Sequence, residues 1–229
     1  MKGHAEGAQR FLDDYRALLD RFEERLPKPW IQVAHSMGGC LALLALIKGE
    51  KDRFAGSALS APMLGVVTND WGYIFARALT WACAHLGLKT RYLFGDAHDV
   101  MSVTFEKDRI AHDRRRWDRF RKQLQACPDL IIGNLTWGWL DFAMAAGSYI
   151  RRSVETTMMT TPVLIVAAGD DDRVLTPVSR LVADRLPHCR YVEIEGSWHE
   201  ILMETDDIRA RWWAEFDAFV DDNAPVVGP

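Results

Sequence analysis

Three short stretches hold residues that could do covalent chemistry together. Residues 34–39 read Ala-His-Ser-Met-Gly-Gly, residues 169–173 read Gly-Asp-Asp-Asp-Arg, and residues 196–200 read Gly-Ser-Trp-His-Glu. A serine hydroxyl is a weak nucleophile until an imidazole takes its proton. The imidazole in turn needs a carboxylate to hold its tautomer and stabilise its charged form. Ser36, an aspartate and His199 occur in that order, each just after an apolar run. Alone, small-x-Ser-x-Gly fits a plain tight bend as well as a nucleophile. The ordered serine, acid and histidine, each at the end of a strand, make Ser36 the candidate nucleophile.

Asp172 is the first choice for the acid, because Arg173-Val174-Leu175 restarts the apolar pattern directly behind it; Asp171 is the second. His199 stands out among the histidines because it follows the last strand, 27 residues beyond Asp172. His4, His85, His98, His112 and His188 read as structural or exposed, and His35 as a residue packed near a substrate pocket. The Met37 N–H, first in the helix after the serine, is the expected oxyanion donor, helped by the positive end of that helix. Ala34 and Gly38 are expected to be small because strand and helix approach closely at such a turn. His-Glu-Ile-Leu-Met-Glu is not a zinc motif, since residue 203 is Met where H-E-x-x-H requires His. No metal or organic cofactor is implied.

The elements around these residues follow from apolar periodicity. Residues 8–26 form a helix with Phe11, Leu12, Tyr15, Leu18, Leu19, Phe22 and Leu26 along one stripe, ended by Lys28-Pro29. Residues 30–34 read as a strand, followed by a helix to Lys48 that is apolar nearly all round and therefore buried. Further buried strands are expected within 54–64, 161–177 and 189–200. Helices are expected at 178–186 and around residues 208–222, where Ile208, Trp212, Phe216, Phe219 and Val220 share a face. Buried strands alternating with helices predict a parallel α/β sheet. Residues 63–155 break the rhythm: they are helix-rich, lack a convincing strand and hold Trp71, Trp81, Trp117, Trp137 and Trp139. They read as a helical cap inserted into one domain spanning 1–229, with Trp137 and Trp139 as candidate pocket residues.

Bulk properties exclude several classes. The 229 residues carry a net charge of −4, which argues against nucleic-acid binding, since phosphate recognition needs a cationic face. The four cysteines are scattered, without the spacing of a metal site or a disulfide framework; a reduced, cytoplasmic setting fits best. There is no signal-like apolar stretch at the N-terminus, and the greasiest segment outside the core, 71–88, carries Arg77 and His85. Residues 112–122 concentrate five arginines and a lysine. A solvated helix face balanced by Asp113 and Asp118 is the first reading of them, peripheral contact with an anionic membrane surface the second.

With these pieces assembled, the chain resembles serine hydrolases of the α/β-hydrolase fold. More narrowly, it is similar to the lysophospholipase and monoacylglycerol-lipase-like group classified with the serine aminopeptidases. The resemblance rests on residues 34–39, 167–177, 196–204 and Asn-Leu-Thr-Trp-Gly-Trp-Leu-Asp-Phe-Ala at 134–143. It implies Ser36 as nucleophile, Asp172 as orienting acid and His199 as general base, acting through an acyl-enzyme on lipid esters. Two departures accompany it. Ala34 replaces the first glycine of the elbow, and only a helix precedes the elbow strand, where the fold usually has about four strands and a second oxyanion donor. Met1 is therefore expected to be an internal start, with the C-terminal part of the sheet present, the elbow strand on an open edge and one donor missing. An aminopeptidase with an amine clamp among Asp99, Glu106 and Asp113, or a non-catalytic remnant, are the alternative readings.

Overall fold

A computed structural model of the chain describes residues 1–68, 72–93, 100–155 and 157–225. Trp71, His98 and Asp99 lie outside the described residues. In chain order the elements are α1 (Ala8–Glu23), β1 (Ile31–His35), α2 (Met37–Ile47), β2 (Gly56–Ser60), α3 (Tyr73–His85), α4 (Phe105–Asp108), α5 (Arg114–Ala126), α6 (Trp137–Ser153), β3 (Val163–Ala168), α7 (Thr176–Ala183), β4 (Cys189–Ile194) and α8 (Asp206–Asn223). The four strands form one sheet in the order β1-β2-β3-β4. Each neighbouring pair is parallel, with Ala34 opposite Leu59, Ser60 opposite Val166, and Ala168 opposite Ile194. All four C-terminal strand ends therefore meet at one rim, where ligands bind in open parallel sheets.

Period-2 alternation along β3 splits the core in two. Val163 and Ile165 point into a cluster with Leu43 and Leu46 of α2, Phe142 and Ile150 of α6, and Val182 of α7. Leu164, Val166 and Ala168 point the other way, onto Ile208, Trp212 and Phe219 of α8. The result is a helix–sheet–helix sandwich. It explains why β3 reads as an unbroken apolar run: both faces are covered. It also explains α2, which has seven buried residues in eleven and no polar face. β1 sits at the sheet edge, as expected, and Val33 on it is 47% exposed.

Between β2 and β3 the described residues contain helices and isolated bridges but no strand. The last of these helices, α6, packs on α2 and α3 and belongs to the main core. Its Thr-Trp-Gly-Trp start has a local cause. The buried Thr136 side chain caps the helix by accepting from the Trp139 N–H at 3.3 Å and pairs with His4 Nδ1 at 2.8 Å. A Cβ at Gly138 would lie 2.9 Å from the Ala5 carbonyl oxygen, so glycine is what lets residues 4–5 cross the helix start. No helix among the described residues is long and apolar enough to cross a membrane.

Candidate active site

β1 ends at His35, and the backbone turns at Ser36 with φ 51° and ψ −118° before α2 begins at Met37. Non-glycine residues avoid positive φ, and such a conformation costs ~1–3 kcal/mol. Three hydrogen bonds hold the turn: the Ser36 N–H donates to Ser60 O at 3.0 Å, and Ser36 O accepts from the N–H groups of Cys40 at 3.1 Å and Met63 at 2.9 Å. The steric demand expected at Gly38 falls instead on its neighbour. A Cβ at Gly38 would make an ordinary 3.9 Å contact with Ala34 Cβ, whereas one at Gly39 would come within 2.9 Å of Pro62 Cβ. The same contact shows that Ala34 fits the turn without crowding it.

The Ser36 hydroxyl lies 2.9 Å from His199 Nε2, and His199 Nδ1 lies 2.7 Å from Asp171 Oδ2. That line has the geometry of a serine–imidazole–carboxylate relay. The Asp171 side chain is fully buried, and the His199 side chain is 9% exposed. Burial pushes the Asp171 carboxyl up. The hydrogen bond from His199 and those from the Val174 and Arg173 N–H groups outweigh it and leave the group below its ordinary value. Asp171 is thus held as an anion facing the imidazole.

The sequence preference for Asp172 is corrected here. Asp172 is half-exposed and pairs with Arg173 at 3.3 Å and Arg109 at 3.8 Å. The turn itself decides between the two aspartates. Asp171 Oδ1 accepts from the Arg173 N–H at 2.8 Å and the Val174 N–H at 3.0 Å, an Asx-type turn that aims Oδ2 at His199. Asp172, next in the chain, pairs with Arg109 and Arg173 instead.

A cavity of about 400 Å³ opens beside Ser36 and His199, lined by apolar Met63, Val66, Ile110, Leu135 and Trp139 and by polar Asp172, Arg173 and Glu200. Trp139 lines this cavity. Trp137 does not; two residues earlier on the same helix, its side chain points about 200° away. His35 also stands back from the cavity. Its Nδ1 donates to Ser60 O at 3.1 Å, its Nε2 lies 3.3 Å from Glu200 Oε1, and its ring lies 4.8 Å from that of His199. Glu200 comes between His35 and the open space. Burial raises the Glu200 carboxyl, but His35, His199 and Arg173 hold it net below its ordinary value. Sequence reasoning did not single out Glu200 or the fully buried Glu204, although both belong to the His-Glu-x-x-x-Glu stretch that begins at His199.

Met37 opens α2, so its N–H belongs to the unpaired first turn of an eleven-residue helix beside the Ser36 hydroxyl. Among the described residues no group of three or more His, Cys, Asp or Glu side chains could hold a metal ion. Cys40 is buried, and that burial pushes its thiol up to about 12, so it is a packing residue. In the basic segment, Arg114 pairs with Glu106, Arg115 with Asp113, and Arg116 with Asp113 and Asp206. Arg121 is buried and donates to Met101 O at 2.5 Å. Several of the basic side chains in this segment are thus engaged within the protein, and Arg121 is buried rather than solvated.

Comparison with known proteins gives a family match for the chain and a fold that it shares with solved structures. The family model described as serine aminopeptidase, S33, matches residues 1–206. Lysophospholipase L2 of Escherichia coli (strain K12) is 28% identical over 245 aligned residues, which cover 97% of this chain and 67% of the relative. The crystal structure of Paleococcus ferrophilus monoacylglycerol lipase superposes with a TM-score of 0.70 at 14% identity, covering 96% of this chain and 81% of that one. A soluble variant of the Saccharomyces cerevisiae monoglyceride lipase, in complex with a substrate analogue, gives the same TM-score at 16% identity over 94% of this chain and 68% of its own. The shared architecture is the α/β-hydrolase fold.

Proposed function

The chain belongs to the serine aminopeptidase S33 family, and on that premise we propose that it hydrolyses carboxylic esters of monoacyl lipids through an acyl-enzyme on Ser36. The observation that carries this reading is the hydrogen-bonded line Ser36–His199–Asp171 opening on a cavity lined in part by apolar side chains. Ser36 Oγ attacks the ester carbonyl while His199 Nε2 takes its proton. Asp171 stabilises the resulting imidazolium, and the Met37 N–H donates to the developing oxyanion. The protonated His199 then gives its proton to the departing alcohol, leaving the acyl group on Ser36. Water activated by His199 attacks that acyl group, the fatty acid leaves, and Ser36 recovers its proton. The acyl chain would lie along Met63, Val66, Ile110 and Trp139, with α3 to α5 as the cap over it.

Ester hydrolysis is favoured over removal of an N-terminal amino acid. A peptide substrate would need a free carboxylate to clamp its ammonium group. Among the described carboxylates, Asp172 is paired with Arg109 and Arg173, Asp113 with Arg115 and Arg116, and Glu106 with Arg114. Lysophospholipids and monoacylglycerols are the substrates suggested by the similar proteins named above. The test is labelling with a fluorophosphonate, followed by assay of fatty-acid release from lysophosphatidylcholine and monoacylglycerol and of an aminoacyl amide. Labelling that vanishes in Ser36→Ala, together with release from either lipid, is expected. Equal labelling of Ser36→Ala sinks the nucleophile. Cleavage of the amide with neither lipid turned over would make the chain a peptidase instead.

A further inference from the structure

His199 has to be held within a fraction of an ångström of Ser36 Oγ, yet it sits in a loop after β4 rather than on a strand. Its own ring is hydrogen-bonded to its two relay partners and lies against the His35 ring. The backbone on either side of it is tied elsewhere, and both ties lead to the same place. The Trp198 N–H donates to Glu204 Oε1 at 2.9 Å, and the Glu200 N–H donates to Ile110 O at 2.9 Å. Residues 110–112, just ahead of α5, are in turn held by Glu204. The His112 N–H donates to Oε2 at 2.9 Å, and His112 Nδ1 lies 2.8 Å from Oε1. The Thr205 N–H adds a fourth bond to Oε2 at 3.2 Å, and the imidazole of His112 stacks on Trp198 with ring centroids 3.7 Å apart.

Glu204 is fully buried. A carboxylate withdrawn from water is tolerated only where donors replace its hydration. Four N–H groups do so here, three of them from the backbone. A hydrophobic side chain of the same volume would pack as well but would leave these N–H groups unpaired. We infer that Glu204 is a positioning residue for His199: it clamps the loop through Trp198 and locks it to the segment that lines the cavity at Ile110. This rests on the reading of His199 as the general base. It adds that the carboxylate five residues further on, touching neither Ser36 nor substrate, sets the rate at which Ser36 reacts.

The test compares Glu204→Gln with the unsubstituted chain in the rate of fluorophosphonate labelling per folded molecule. Glutamine keeps the shape but turns an NH2 group toward N–H donors at one of the two oxygen positions, so part of the clamp is lost. A displacement of about 1 Å in a catalytic group costs roughly 10²-fold. The expected result is a labelling rate lowered ~10-fold to ~100-fold, with KM for a short soluble ester changed less than about twofold. The low-field imidazole N–H proton resonance, assigned by its loss in His199→Ala, should move or broaden. Val182→Ala, in the core of α7 far from the loop, should lower Tm without slowing labelling, which separates positioning from stability alone. A folded Glu204→Gln chain that labels within about threefold of the unsubstituted rate overturns the inference. If Glu204→Gln does not fold, His112→Ala decides: it removes the Nδ1 bond to Glu204 and the stack on Trp198 while keeping the backbone N–H bond and the carboxylate. Labelling within about threefold of the unsubstituted chain then overturns the inference, and a larger loss supports it. Absence of Ser36-dependent labelling in the unsubstituted chain would instead defeat the hydrolase reading itself.

Discussion

α2 and α3 are both rich in apolar residues and both pack on α6, yet they are buried to very different degrees. In α2, Cys40 and Leu43 are wholly buried where the sheet, α1 and α6 pack against the helix. In α3 the same kinds of side chain face outward: Ile74 is 85% exposed, Phe75 61% and Trp81 53%. Apolar composition therefore does not by itself place a helix in the core. α2 is held so tightly because its first turn must present Ser36 in a strained conformation, and a strained turn persists only where its surroundings over-determine it. α3 has no such duty, and only its Ala76, Thr80 and Ala84 face is buried.

The comparison can be broken at its chemical end first. Asp171→Asn should lower ester turnover by roughly 10⁴-fold, as expected where the imidazole loses its orienting anion. Asp172→Asn should stay within about threefold, because the Asp172 carboxylate on the cavity wall pairs with Arg109 and Arg173 and not with His199. Steady-state kinetics on one soluble ester compares the two, and equal losses would mean that the turn at 170–173 has been misread.

At the level of packing, Leu43→Ala in α2 should cost about 2–5 kcal/mol, while Ile74→Ala in α3 should stay within about 0.5 kcal/mol. Urea denaturation would show this as a large shift in midpoint for the first and almost none for the second. A comparable loss at Ile74 would mean that α3 is covered in solution.

Gly39→Ala forces a Cβ against Pro62 and should destabilise by ~1–3 kcal/mol. Gly38→Ala meets only an ordinary contact and should be neutral or stabilising by up to about 1 kcal/mol, as alanine is in helices. Reversal of that order would displace the tight point of the elbow.

The smallest effect is a pH dependence outside the site. The guanidinium of Arg115, together with the Arg116 N–H and side chain, holds the Asp113 carboxyl down at about 2 from an ordinary 3.8. A depressed folded-state value adds stability that is complete above 3.8 and is lost as the pH falls toward 2. Thermal melts between those limits should flatten in Asp113→Asn. An unchanged slope would remove Asp113 from the acid response.

The strands and the elbow were legible because they rest on local rules. Apolar runs bounded by turn residues located all four strands to within a few residues, and the order Ser, Asp, His belongs to the chain rather than to the coordinates. The pocket was legible only in part. Trp137 and Trp139 are equivalent by composition; they part company because a helix turns about 100° per residue and one face of α6 looks into the cavity. Glu204 gave no signal of its own, since an acidic residue in a loop reads as solvated until its donors are seen to converge on it.

What the amino-acid sequence determined by itself is the set of parts: a parallel α/β arrangement, a serine on a tight turn, and an acid and a histidine on later strand ends. Periodicity and turn chemistry act over a few residues, and they suffice for that. What only the tertiary structure decided is which of two adjacent aspartates faces His199, that the elbow presses on Pro62 through Gly39, and that Glu204 ties the His199 loop to residues 110–112. Each depends on groups far apart in the chain, or on one backbone turn aiming a carboxylate. Spacing along a sequence carries no information about where such groups point.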